Sequence, residues 1–187
     1  MSFLLLHGWQ NRRPDGHWQH WLAAGLRAAG HEVVYPQMPD PDEPVLDVWL
    51  GELRTHLAAL PAGERTVIAH SLSCLLWLHA ATRDEIPAGI DRVLLVAPPS
   101  PDVTASHPEI AGFVPPTGVS LPPAGTHLVA ADNDPYCPGG AAGVYGEPLG
   151  IPTTVLPGQG HLDMEAGYGP WPALLGWALT GSPLAAR

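Results

Sequence analysis

Residues 66–82, TVIAHSLSCLLWLHAAT, decide how the fold is read. TVIAH (66–70) is apolar and β-branched enough to be a buried strand. LSCLLWLHAAT (72–82) has the length of a helix and is apolar nearly all round, which implies burial on most sides. Between the two stands Ser71, with small residues, Ala69 and Ser73, two positions to either side. A hydroxyl at a buried junction costs stability unless it finds a partner. The free amides of the first helical turn are one partner, and they would make Ser71 a plain N-cap. A base is the other, and it would make Ser71 a nucleophile at the tip of a tight turn.

The same alternation continues outward in both directions. FLLL (3–6), EVVYP (32–36), RVLLVAPP (92–99), THLVAAD (126–132) and PTTVLP (152–157) read as five more strands. Between them, Trp18, Trp21, Leu22, Leu26 and Ala29 recur at helical spacing, with Gly30 as the stop. A second stripe runs through Leu46, Trp49, Leu50, Leu53, Leu57 and Leu60, and a last helix is centred on Trp171, Leu174, Leu175 and Ala178. Apolar strands separated by helices predict an α/β fold, a parallel sheet covered on both faces, in one domain over residues 1–187. The proline-rich stretch from Pro98 to Gly125 holds only a weak helical hint, PEIAGF (108–113). A loop of that length calls for a function. It leaves the carboxyl end of the fourth strand, so it is expected to form a semi-rigid pocket rim, with Phe113 and Val114 facing the pocket.

Composition narrows the partners. Apolar residues make up 45% of the chain and charged ones 14%, which favours a packed globule over a disordered chain. A formal net charge of −10, with eight Lys plus Arg in no run, argues against a nucleic-acid surface, because phosphate contacts need clustered cations. The opening MSFLLLHGW is too short in its apolar run for a signal peptide or a membrane span, so a cytoplasmic, non-membrane protein is expected. Cys74 and Cys137 are too few for a disulfide framework and are read as free thiols.

Ligands bind at the carboxyl ends of strands in an open parallel sheet. The residues just past each strand therefore matter most: His7-Gly8-Trp9 after the first, Ser71-Leu72 after the third, Asp132-Asn133-Asp134 after the fifth, and Gly158-Gln159-Gly160-His161 after the sixth. A serine, an acid and a histidine emerge on one edge in that order, which is the order of the α/β-hydrolases. With that order present, the N-cap reading of Ser71 becomes the minor one.

The HGW after strand one, AHSLSC at the turn, DNDPYCP after strand five and GQGHLD near the end together resemble the small serine-hydrolase family of YdeN and retinoblastoma-binding protein nine. The resemblance covers essentially the whole chain. It implies a minimal three-layer α/β-hydrolase fold with a six-stranded, mainly parallel sheet in the order 2-1-3-4-5-6 and no cap domain. Ala69 and Ser73 stand where the usual G-x-S-x-G turn has glycine, and Ser73 is the main departure from the family. The implied reaction is hydrolysis of a carboxylic ester or thioester through an acyl-enzyme, with a small-molecule acyl substrate. Ser71 would attack, His161 would take and return the proton, and an acid would orient the imidazole. Asp134 in D-P-Y-C-P matches the family's acid motif, and Asp132 is the rival. Backbone N–H groups of Trp9 and Leu72 would hold the oxyanion. A member of the family named for a protein partner keeps open a binding or scaffold role, and a peptidase or acyltransferase could use the same three residues. A protein partner is possible but nothing in the residues indicates one.

Other conspicuous residues read more plainly. His70 is a packing residue beside the turn. His17 and His20, three apart on a helix, lack a third ligand and read as exposed helix residues, so no metal is expected. There is no phosphate loop and so no cofactor. Trp18 and Trp21 read as core, Gly8 and Gly16 as turn glycines, Cys74 as buried and inert, and Cys137 as a thiol whose exposure the sequence leaves open.

Overall fold

The computed structural model describes residues 1–121 and 125–187. Six strands form one sheet: β1 (Ser2–Leu6), β2 (Glu32–Val34), β3 (Arg65–His70), β4 (Arg92–Val96), β5 (Gly125–Ala131) and β6 (Thr153–Leu156). Their order is β2-β1-β3-β4-β5-β6, and every neighbouring pair is parallel. The register is continuous across the centre, with Leu4 opposite Val67 and Val67 opposite Val93. The helices are α1 (Trp18–Ala28), α2 (Leu46–Ala59), α3 (Leu72–Thr82), the short α4 (Pro101–Ser106) and α5 (Glu147–Leu149), and α6 (Pro172–Thr180).

Strand alternation divides the core into two layers. In β1, Leu4 and Leu6 face Trp49, Leu53 and Leu75 of α2 and α3, while Phe3 and Leu5 face Trp18 and Leu22 of α1 and Leu174 of α6. A strand apolar on both faces needs cover on both faces, which is why β1 reads FLLL without a polar break. Helix α3 is enclosed from Leu72 to Leu78, and each of its large side chains contributes roughly 1.5–3 kcal/mol by leaving water. No cap domain is added to this core among the described residues, and none of their helices is long and apolar enough to cross a membrane.

Two strands stop two or more residues earlier than the sequence suggests. β2 ends at Val34, two residues before Pro36, whose missing N–H cannot extend the ladder. β4 ends at Val96 because Ala97 turns into the left-handed region with φ 50°, ahead of two prolines. The stretch from Pro98 to Gly125 also has more structure than expected. Ser100 Oγ accepts from Val103 N and Pro101 fills the first helical position, starting α4. A 3₁₀ turn follows at Ala111–Phe113. The expected pocket-facing roles of Phe113 and Val114 do not hold. Phe113 is buried edge-on against Trp49, with centroids 5.4 Å apart, and Val114 presents its carbonyl to His79 Nε2 at 3.0 Å. Pro99 and Ile110 of this stretch reach the cavity instead. Pro122, Pro123 and Ala124 lie outside the described residues.

Candidate active site

The chain leaves β1 toward β2 on one side and returns through β3 on the other, so the loops after β1 and β3 part at the carboxyl edge. That divergence opens a crevice for a ligand. A cavity of about 380 Å³ lies there, bordered by Gly8, Trp9, Ser71, Leu72, Tyr136 and His161.

Ser71 is the hinge between β3 and α3. Its φ of 55° and ψ of −122° lie in a region that costs a non-glycine residue on the order of 1–3 kcal/mol. The turn is over-determined by its surroundings. Ser71 N donates to Val96 O at 2.9 Å, and Ser73 Oγ donates to His7 O at 2.5 Å, tying the first turn of α3 to the end of β1. Ser73 thus uses its hydroxyl where the family pattern has a bare glycine. Gly8, read from sequence as a turn glycine, is not among the positive-φ glycines. It is a close-approach glycine: a Cβ there would lie 2.7 Å from Ser71 Cβ and 3.2 Å from Ser71 Oγ. The Ser71 side chain makes no helix cap. Its Oγ lies 2.9 Å from His161 Nε2.

His161 arrives on a loop after β6 whose glycines, Gly158 and Gly160, take φ of 70° and 60°. Three consecutive residues after β5 hold that loop. Asp132 Oδ1 accepts from Gly158 N, and Asn133 Oδ1 from Gly160 N, both at 2.7 Å. Asp134 faces His161 Nδ1 with Oδ1 at 3.0 Å and Oδ2 at 2.9 Å. An ionised carboxylate only accepts, so Nδ1 carries the proton and the Nε2 lone pair is left for the Ser71 hydroxyl. Asp134 is 2% exposed and His161 7%, so the pair is shielded from water. Asp132, the rival acid, makes its bond to Gly158 rather than to His161.

Around this line, the ring of Tyr136 covers His161 at 4.4 Å between centroids. His70 lies 5.2 Å from the same ring and donates from Nε2 to His161 O at 3.2 Å. Burial drives the His70 pKa well below its ordinary value, so that imidazole stays neutral. His7 is likewise pushed down to about 4 by burial, and its ring bridges Gly8 O and Met38 N. The expectation of two exposed histidines on α1 holds only for His20. His17 is 3% exposed, because its Nδ1 turns back to accept from Gln19 N and cap α1. Burial pushes its pKa down to about 4 as well.

Trp9 and Leu72 border the cavity, and neither backbone amide donates a backbone hydrogen bond among the described residues. Trp18 is core, and Trp21 is half-buried against it. Both cysteines are free and buried; burial raises the Cys74 thiol pKa and pushes Cys137 up to about 11. Among the described residues, no three or more His, Cys, Asp or Glu side chains form a group suited to a metal ion. Sequence reading gave Tyr136 and Asn133 no role of their own at this site and placed His17 on the surface. The dense DNDPY segment was a signal for the first two, and the pair His17-Trp18 just before a helical stripe was a capping signal for the third.

The profile of the serine hydrolase family matches residues 3–178. The chain belongs to the serine hydrolase family. Solved structures share its fold. A YdeN-like hydrolase from Pectobacterium atrosepticum is 26% identical, with 93% of this chain and 86% of that chain covered and a TM-score of 0.72. The ydeN gene product of Bacillus subtilis is 21% identical over 96% of this chain and 97% of that one, with a TM-score of 0.79. Est1E from Butyrivibrio proteoclasticus, 16% identical over 86% and 79%, shares the fold at a TM-score of 0.60. No curated protein matches the chain. The protein is thus a serine hydrolase built on the α/β-hydrolase fold.

Proposed function

We propose that this serine hydrolase cleaves a carboxylic ester or thioester through an acyl-enzyme, with Ser71 as nucleophile, His161 as general base and acid, and Asp134 as the orienting carboxylate. One observation carries the proposal: the His161 ring bridges Ser71 Oγ and both Asp134 oxygens within 3.0 Å. The chemistry follows from that line. His161 Nε2 takes the Ser71 proton as Oγ bonds to the carbonyl carbon. The same nitrogen then protonates the departing alcohol or thiol as its bond to carbon breaks. Water attacks the acyl-enzyme, giving its proton to His161, and the acid leaves as Ser71 recovers its own. Asp134 stabilises the imidazolium without becoming protonated. The amides of Trp9 and Leu72 are assigned to the oxyanion, each contributing roughly 3 kcal/mol, with Leu72 helped by its place at the start of α3.

A fluorophosphonate probe tests this directly. Stoichiometric labelling is expected, and it should vanish in Ser71→Ala, while hydrolysis of nitrophenyl esters drops by about 10⁶-fold. Folded wild-type protein that neither reacts with the probe nor turns over any ester or thioester would sink the proposal.

A further inference from the structure

The mouth of the Ser71 cavity is chemically lopsided. Its lining includes Tyr136, which stacks on His161, and the run Asp163, Met164 and Glu165 that follows His161 in the chain. Tyr136 and Met164, 36% and 47% exposed, are among the few large apolar side chains left open to water. The carboxylates act on the phenol through charge: after burial, Asp163, Glu165 and Asp134 push the Tyr136 pKa up. Arg12, the cavity's one arginine or lysine among the described residues, is taken up by an ion pair with Asp42. The three imidazoles on the wall do not offset the negative charge either, since His17 and His70 are held neutral and His161 faces Asp134.

A second observation is independent of those carboxylates. His17 lies in the cavity wall, 3% exposed, and with Nδ1 accepting from Gln19 its neutral ring carries the proton on Nε2. That N–H has no partner in the protein among the described residues. A buried donor left unmatched is costly, and an acceptor oxygen of a bound ester would relieve it.

Which part of the substrate meets the lip follows from the reaction. His161 must hand its proton to the leaving oxygen, so the alcohol part departs on the His161 side. Tyr136 covers that ring, and Asp163 and Glu165 come two and four residues after His161 in the chain. We propose that Tyr136, Met164, Asp163 and Glu165 form a cation-accepting subsite for the alcohol part, so that the preferred substrates are amino-alcohol esters carrying an ammonium group. An aromatic face and a polarisable thioether suit a weakly hydrated cation, and the two carboxylates supply the charge. Thioesters on polyanionic carriers would be repelled by the same lip. The inference rests on the ester-hydrolase reading above.

The test compares the choline ester of a short acid with the 3,3-dimethylbutyl ester of the same acid, which has the same shape without the charge. At low ionic strength kcat/KM should favour the choline ester by roughly five- to tenfold. The ratio should fall toward one in about 1 M salt and in the double variant Asp163→Asn, Glu165→Gln. A ratio of one or less, with the neutral ester cleaved, overturns the subsite and leaves the Ser71 reading standing. Binding decides the matter if neither ester is turned over. Phenyltrimethylammonium and tert-butylbenzene would be titrated into the Ser71→Ala protein while the Tyr136 ring resonances are followed. Perturbation by the cation alone supports the subsite, and equal or absent perturbation overturns it. Probe labelling of Ser71 reports separately on the hydrolase reading.

Discussion

The two halves of the candidate site are held by different physics. The nucleophile half, the loops after β1 and β3, is fixed by backbone sterics and neutral groups: Gly8 against Ser71, Ser73 to His7 O, and His7 between Gly8 and Met38. The acid–base half, the loops after β5 and β6, is stitched by side-chain oxygens from Asp132, Asn133 and Asp134 in succession. The first half should therefore be intolerant of added volume, and of charge on its own histidines. The second should tolerate small changes of shape but fail when one particular carboxylate loses its charge.

The sharpest break between the halves is Asp134→Asn. The amide is nearly isosteric, so the loop keeps its path, yet it no longer holds the imidazole in the required tautomer or balances its positive charge. A fall in kcat of about 10⁴-fold is expected, with far smaller effects on folding. A matched measurement of nitrophenyl ester turnover and thermal unfolding checks it, and a variant within tenfold of wild type would remove Asp134 from its proposed role. In the nucleophile half the corresponding change is a single methyl. Gly8→Ala places a carbon 2.7 Å from Ser71 Cβ, and neither neighbour is a flexible chain end. One loop must shift by a sizeable fraction of an ångström, and kcat/KM should drop by about 100-fold. Wild-type activity in that variant would mean the β1 loop is softer than its contacts indicate.

Acid should also strike the nucleophile half first. His7 and His17 have folded pKa values lowered to about 4, against about 6.5 in the unfolded chain. Between those values the unfolded chain binds more protons, so stability is full above pH 6.5 and is lost as pH falls toward 4. At pH 5 each imidazole accounts for about 2 kcal/mol of that loss. Urea midpoints at pH 7.5 and pH 5 read it directly, and flat stability across that interval would contradict the neutral, bonded state of these rings.

The contrast between halves also explains what the sequence revealed. Strand–serine–helix at 66–82 was legible because a turn fixed by sterics leaves small residues on either side of Ser71, and α3 begins and ends at Leu72 and Thr82 as its apolar run predicts. The loop holding Asp134 and His161 was legible in its residue types and chain order alone. That Asp134 rather than Asp132 faces His161 depends on a turn in which all three polar residues look alike in sequence. The stretch around Phe113 misled for another reason. α4 spans six residues and the 3₁₀ turn three, too short for a periodic pattern to say which side Phe113 takes. Its partner, Trp49, lies on α2, far away in the chain. The helical turns over 142–149 were missed because their AGVYGEPL composition gives no apolar stripe.

The smallest effects belong to the two outer stitches, and they discriminate most finely. Asp132 and Asn133 bond Gly158 and Gly160 amides that are open to water, so water can replace a deleted oxygen. Asp132→Ala and Asn133→Ala should each cost about 0.5–1.5 kcal/mol of stability and only a few-fold in kcat, since Asp134 still grips His161. The double variant is the informative one. If the stitches act as independent tethers, its losses should be the sum of the singles; if they brace one loop conformation, the loss should exceed that sum. An excess would mean that His161 is positioned by the loop as a whole, with Asp134 setting its tautomer and the two neighbours setting its distance from Ser71.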